Sequence, residues 1–148
     1  MVTIVQVAVA RVAKDLGMTR KSGSWYLAGP ESILVLNLQK SNYSRRYFVN
    51  LGAWLLEIDH AKFPPEHTTH IRTRATELVE SPERLDRLLD ADWLEQHPDQ
   101  EAELRETLHG VMDEVVPMLS SLDALRSDDG RAFLRSWLVN GEAQLLLG

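Results

Sequence analysis

Cysteine is absent. Its absence removes disulfides, thiolate metal sites and cysteine nucleophiles together, and it fits a reducing compartment. A cytoplasmic location is the expectation. No apolar run reaches the roughly 18 residues that a membrane span needs. Asn37 and Gln39 interrupt the first candidate run, and Asn50 and Glu57 bracket the second. From Met1 to Ala13 no basic residue precedes the Val- and Ala-rich stretch, and Arg11 and Lys14 break up its far end, so a signal peptide is not expected. Glycine-rich phosphate loops, a serine in a nucleophile elbow and a dinucleotide fingerprint are also missing. So is a surplus of positive charge: the formal net charge is −6, whereas nucleic-acid binders are normally basic. Membrane and nucleic-acid partners are therefore not expected. Nothing in the sequence speaks for an enzyme.

What is present is the composition of an ordinary globular chain. The sequence has 148 residues, of which 44% are hydrophobic and 26% charged, enough for one packed core, so a single domain over 1–148 is expected. The charge is unevenly placed. Residues 1–76 hold ten Lys and Arg against five Asp and Glu, and residues 77–148 hold six against seventeen. Such a split can steer a basic partner toward the C-terminal half, although solvated acidic helix faces produce the same pattern.

The apolar spacing predicts an α+β fold. Val5, Ala8, Val12 and Leu16 recur at three and four residues ahead of Gly17, which marks a helix over about Val2 to Leu16 with a left-handed cap. Three short apolar and aromatic runs follow, Trp25 to Leu27, Ile33 to Leu38 and Tyr47 to Leu56. They read as strands joined by turns at Gly29-Pro30 and Asn42 to Arg45. A fourth strand is expected over about His70 to Val79, where Ile71, Thr73 and Ala75 alternate with Arg72, Arg74 and Thr76. Ser81 and Pro82 open a short helix. A long helix begins near Pro98 and carries Leu104, Leu108, Val111, Met112, Val115 and Leu119, with a kink or break expected at Pro117. A last helix is expected from Asp128 to Val139, ended by Gly141. The expected architecture is an antiparallel meander of three to four strands, with the N-terminal helix and the C-terminal helices on one face. Trp25, Leu36, Leu38, Trp54, Leu108, Val111, Met112, Phe133 and Trp137 are the expected core.

The most distinctive chemistry lies on the second hairpin. Side chains alternate along a strand, so Asn37, Gln39 and Ser41 share one face, and an even-length connection brings Asn50 beside Gln39, next to open space above Gly52. Amides offer donors and acceptors in fixed geometry, which suits recognition better than acid–base work; a row that only fixes sheet register is the alternative. Lys40 and Arg45, near Tyr43 and Tyr47, could clamp an anion. His60, His67 and His70 lie near Asp59 but lack a metal-binding spacing, so neither metal nor cofactor is expected.

The succession Gly17, Arg20-Lys21, Trp25-Tyr26, Leu38-Gln39-Lys40-Ser41 and Phe48-Val49-Asn50-Leu51-Gly52 resembles the bacterial family called domain of unknown function 4304 over about residues 1–60. In the looser later part, Arg72 or Arg74 matches an arginine that family members carry. The resemblance implies a fold and no activity. The functional expectation is a non-enzymatic protein-interaction domain, of the kind that neutralises a bacterial toxin, with a protein partner met through Glu101, Glu103 and Asp113. The alternative is a small-ligand or nucleotide-binding protein, or an unfamiliar hydrolase, using Asn37, Gln39, Lys40, Ser41, Arg45, Asn50 and Arg72. Homo-oligomerisation through an open sheet edge is a third alternative.

Overall fold

A computed structural model describes residues 2–148. Helix α1, Ile4–Asp15, is set at its start by a reciprocal capping box: Thr3 Oγ1 accepts from the Gln6 backbone, and the Thr3 backbone donates to Gln6 Oε1 at 2.8 Å. Gly17, at φ +73°, turns the chain out of it. The sheet follows as β1 Thr19–Lys21, β2 Ser24–Ala28, β3 Ser32–Lys40, β4 Tyr47–Leu55 and β5 Ile71–Arg74. Helices α2 Pro82–Leu88, α3 Ala91–Gln96, α4 Glu101–Leu119, α5 Leu122–Arg126 and α6 Asp128–Phe133 come next. A short strand, β6 Leu138–Val139, and α7 Gly141–Leu147 complete the order. None of the described helices is long and apolar enough to cross a membrane.

The antiparallel meander expected from the sequence is present, but with six strands in the order β1 to β6 rather than three to four. The two additions are the strands that periodicity cannot mark. β1 is Thr-Arg-Lys, exposed throughout, and β6 is two residues recruited by pairing with Ile71 and Arg72. The helix expected over Asp128 to Val139 stops at Phe133, because Trp137 turns to extended backbone and carries the chain into the sheet. Gly141 opens α7 instead of ending a helix. The expected fourth strand is cut to Ile71–Arg74, since Ala75 begins a 3-10 turn that tucks its side chain into the core. Pro117 does not break α4. It lies two residues before the end, where the carbonyl it leaves unpaired belongs to exposed Asp113.

The period-2 alternation of β3 and β4 divides the protein into two faces. Leu34, Leu36, Leu51, Ala53 and Leu55 join the buried stripes of α1 and α4 in one large core. Tyr26, Ile33 and Val35, with Trp54 and Leu56 beside them, form a small cluster on the other side. Of the expected core residues, Trp54 belongs to that second cluster, while Leu38 and Phe133 are only partly buried. Trp93 is partly buried at the edge of the large core, stacked on His97.

Candidate functional site

The face turned away from the helices carries a polar row that crosses four strands. Ser24 stands opposite Asn37, Asn37 opposite Asn50, and Asn50 opposite Arg74. Strict pairing register brings these four side chains into line, and they bond in sequence. Asn37 Nδ2 donates to Ser24 Oγ at 3.0 Å. Asn50 Nδ2 donates to Asn37 Oδ1 at 3.1 Å and to Gln39 Oε1 at 2.9 Å. Arg74 Nε donates to Asn50 Oδ1 at 3.2 Å. Asn50 is buried and has its amide oxygen and both amide hydrogens engaged, the arrangement that a buried amide requires.

The Arg74 guanidinium is thus tied at Nε and lies over the Phe48 ring, 4.2 Å from its centroid. Arg74 lines a cleft of about 490 Å³ together with Gln39 and Asn50 on the sheet, exposed Glu77 just beyond β5, and Arg135, Ser136, Trp137 and Leu138 opposite. Among the described residues, neither Arg74 nor Arg135 has a carboxylate within ion-pair distance. Arg72, also on the cleft wall, is different: its Nε and Nη2 hold the buried Glu66 carboxylate in a bidentate pair, at 3.1 and 3.3 Å. The segment opposite is held by Thr73 Oγ1 donating to the Ser136 carbonyl at 2.7 Å and by the β5–β6 pairing. Among the described residues, the buried Trp137 Nε1 has no hydrogen-bond partner.

The expected site residues divide accordingly. Asn37, Gln39 and Asn50 come together in the row, and Gln39, Asn50 and Arg72 line the cleft. Asn37 also borders a neighbouring cleft of about 320 Å³ with Tyr26 and Phe63. Ser41 leaves the strand and accepts from the Tyr43 backbone in the hairpin turn. Lys40, one position on from Gln39, falls on the opposite side of the alternation. Arg45 is drawn to α3, where it bonds Asp92 at 2.7 Å and both oxygens of Glu95. These bonds hold the Arg45 guanidinium charged well above its usual range and push the Glu95 carboxyl below its own. The open space expected above Gly52 is filled by the Thr69 side chain, which a Cβ at Gly52 would strike. The opening lies farther along the same two strands, over Asn50 two residues before Gly52 and over Gln39. Arg74 carries a signal in the Arg-x-Arg alternation of β5. Arg135 and Trp137 carry none, because a two-residue strand brings them to the cleft from far along the chain.

Of the histidines, His70 is built into the sheet. Among the described residues, no three His, Asp or Glu side chains gather as a metal site. His70 extends the β4–β5 ladder: its backbone N–H donates to the Ala53 carbonyl, and its Nδ1 accepts from the Leu55 N–H at 2.8 Å. The ring lies 4.3 Å from Trp54. Burial pushes its pKa below the usual value, against the opposing pull of Glu142 and Asp59. The unfolded chain therefore takes up a proton more readily than the folded one. This contribution to stability is complete above about pH 6.5, the unfolded value, and is lost as pH falls from there toward the folded pKa. Urea midpoints measured across this range are expected to fall with pH for the native protein. They should fall less for His70→Asn, whose Oδ1 can replace Nδ1 as acceptor without titrating.

The model of the family described as Domain of unknown function (DUF4304) matches residues 9–121. The matched stretch contains the whole polar row and both arginines of β5, while the cleft wall from Arg135 to Leu138 lies beyond it. No curated protein and no solved structure matches the chain.

Proposed function

From the premise that the chain belongs to the domain of unknown function 4304 family, whose name carries no activity, we propose that it is a binding domain for a small molecule bearing a carboxylate or phosphate. The anion sits between Arg74 and Arg135, and the Gln39 amide reads a neighbouring polar group. The observation that carries this reading is the way Arg74 is held. Asn50 below and Phe48 beside it fix the guanidinium, so little side-chain entropy is left to lose when its terminal N–H groups grip an anion in fork geometry.

The acidic half lends less support to a basic protein partner. Glu101 accepts from Arg105 at 2.8 Å, and both Glu103 oxygens are taken by Arg84, which holds the Glu103 carboxyl below its usual pKa. Of the three carboxylates expected to meet a partner, only Asp113 stands clear of an ion pair among the described residues.

Inorganic phosphate and citrate, titrated while backbone amide resonances are followed, test the reading. Saturable shifts are expected at Gln39, Asn50 and Arg74. Arg74→Ala and Arg135→Ala should each weaken binding about tenfold or more, the worth of a charge-assisted bond pair. Shifts confined to other basic residues, or unchanged affinity in both variants, would remove the basis for the proposal.

A further inference from the structure

On the opposite side of the sheet's first edge, α1 and β1–β2 enclose a second groove of about 310 Å³. Its floor is apolar: Val7 and Ala10 from α1 meet Trp25 and Leu38 from the sheet. Val7 points outward from the amphipathic helix and stays 46% exposed, at a place where a surface helix ordinarily carries a polar side chain. The rim is cationic. Arg11 and Lys14 stand one turn apart on α1, and Arg20 approaches from β1, its guanidinium 5.3 Å from the Trp25 ring centroid. Arg11 is 58% exposed and only loosely paired, 3.9 Å from Glu101, whose carboxylate is held more closely by Arg105 at 2.8 Å. Among the described residues, no acidic side chain lines the groove.

We propose that this groove binds a single-chain amphiphilic anion, with an unbranched aliphatic chain along Val7, Ala10, Trp25 and Leu38 and its carboxylate among Arg11, Lys14 and Arg20. Charge complementarity sets the head group, because three cations line the groove and no carboxylate does. Shape sets the tail: an open groove of about 310 Å³ along α1 holds one extended alkyl chain. Concavity separates this site from a helix lying flat on a bilayer, where a convex apolar face is buried. The site shares no residue with the polar cleft.

Octanoate, decanoate and dodecanoate, each below its micelle concentration, are titrated by calorimetry, with backbone amide shifts recorded alongside. Affinity should rise about threefold to fourfold per added methylene until the groove is full, with shifts centred on Val7, Ala10 and Trp25. Acetate should leave those resonances still, which separates this site from any carboxylate binding at Arg74. Val7→Asp, at an exposed position where folding should survive, and Arg20→Glu should each lower decanoate affinity tenfold or more. Decyltrimethylammonium binding as well as decanoate, affinity indifferent to chain length, shifts centred on Gln39 and Asn50, or binding only to anionic vesicles would each overturn the proposal.

Discussion

Gly130→Ala is expected to lower the unfolding free energy by about 3 kcal/mol or more, as overpacking against parts that cannot rotate away does. α5 and α6 are joined by one residue, Ser127, which ends the first helix and caps the second. Its Oγ accepts from the Gly130 N–H at 3.0 Å and donates to the Ala124 carbonyl at 2.6 Å. This close corner leaves no room at Gly130: a Cβ there would overlap the Ala124 carbonyl oxygen and lie 2.6 Å from that of Leu125. Both obstacles are backbone, so relief requires the two helices to part and the cap to open. Gly52→Ala meets an obstacle of another kind, the Thr69 side chain, and Thr69→Gly in the same chain should return most of what it loses. Gly110→Ala supplies the control, since nothing lies within 4 Å of its added Cβ on exposed α4; it should gain about 0.5–1 kcal/mol. Urea midpoints of the three variants decide the matter. A loss below about 1 kcal/mol for Gly130→Ala would mean that α6 can move off α5 without resistance.

The same corner shows why part of this protein was legible in its sequence and part was not. The stripe Leu104, Leu108, Val111, Met112, Val115 and Leu119 sits at helical spacing, and all six side chains are buried in α4. The alternation around Leu34, Leu36 and Leu38 likewise divides β3 into its two faces. Asn37, Gln39 and Asn50 were legible for the same reason, because period 2 assigns a face before any contact is known. β1 and β6 follow from no pattern of their own, being strands only through their partners. Arg45 illustrates the limit for a charged residue. Its position at the hairpin tip suggested a free cation, but α3, distant in sequence, supplies Asp92 and Glu95 to engage it. Arg135 is the converse, a residue on a stretch that reads as helix, delivered to the cleft by the extended turn at Trp137.

Replacement of Asn50 is expected to separate stability from binding. In Asn50→Ala the row loses its centre: the Asn37 and Gln39 amide oxygens lose a donor, and Arg74 Nε loses its acceptor. At about 0.5–1.5 kcal/mol net for each bond, and with Gln39 and Arg74 exposed enough for water to replace part of what is lost, the cost should be about 2 kcal/mol. Anion affinity should also fall by about tenfold, although Asn50 need not touch the anion, because a released guanidinium must be ordered again on binding. Asn50→Asp makes the sharper test. The new carboxylate can keep all three partners, since the Asn37 and Gln39 amides can each present their NH₂ end and Ser24 can donate in turn, so stability should stay close to the native value. Yet the carboxylate pairs with Arg74 and cancels the charge that faces the cleft, and phosphate binding should disappear. Stability that survives together with lost binding places the anion at the Asn50 and Arg74 end of the cleft. If the Asp variant bound phosphate as the native protein does, the polar row would be left with the task of holding the strands in register.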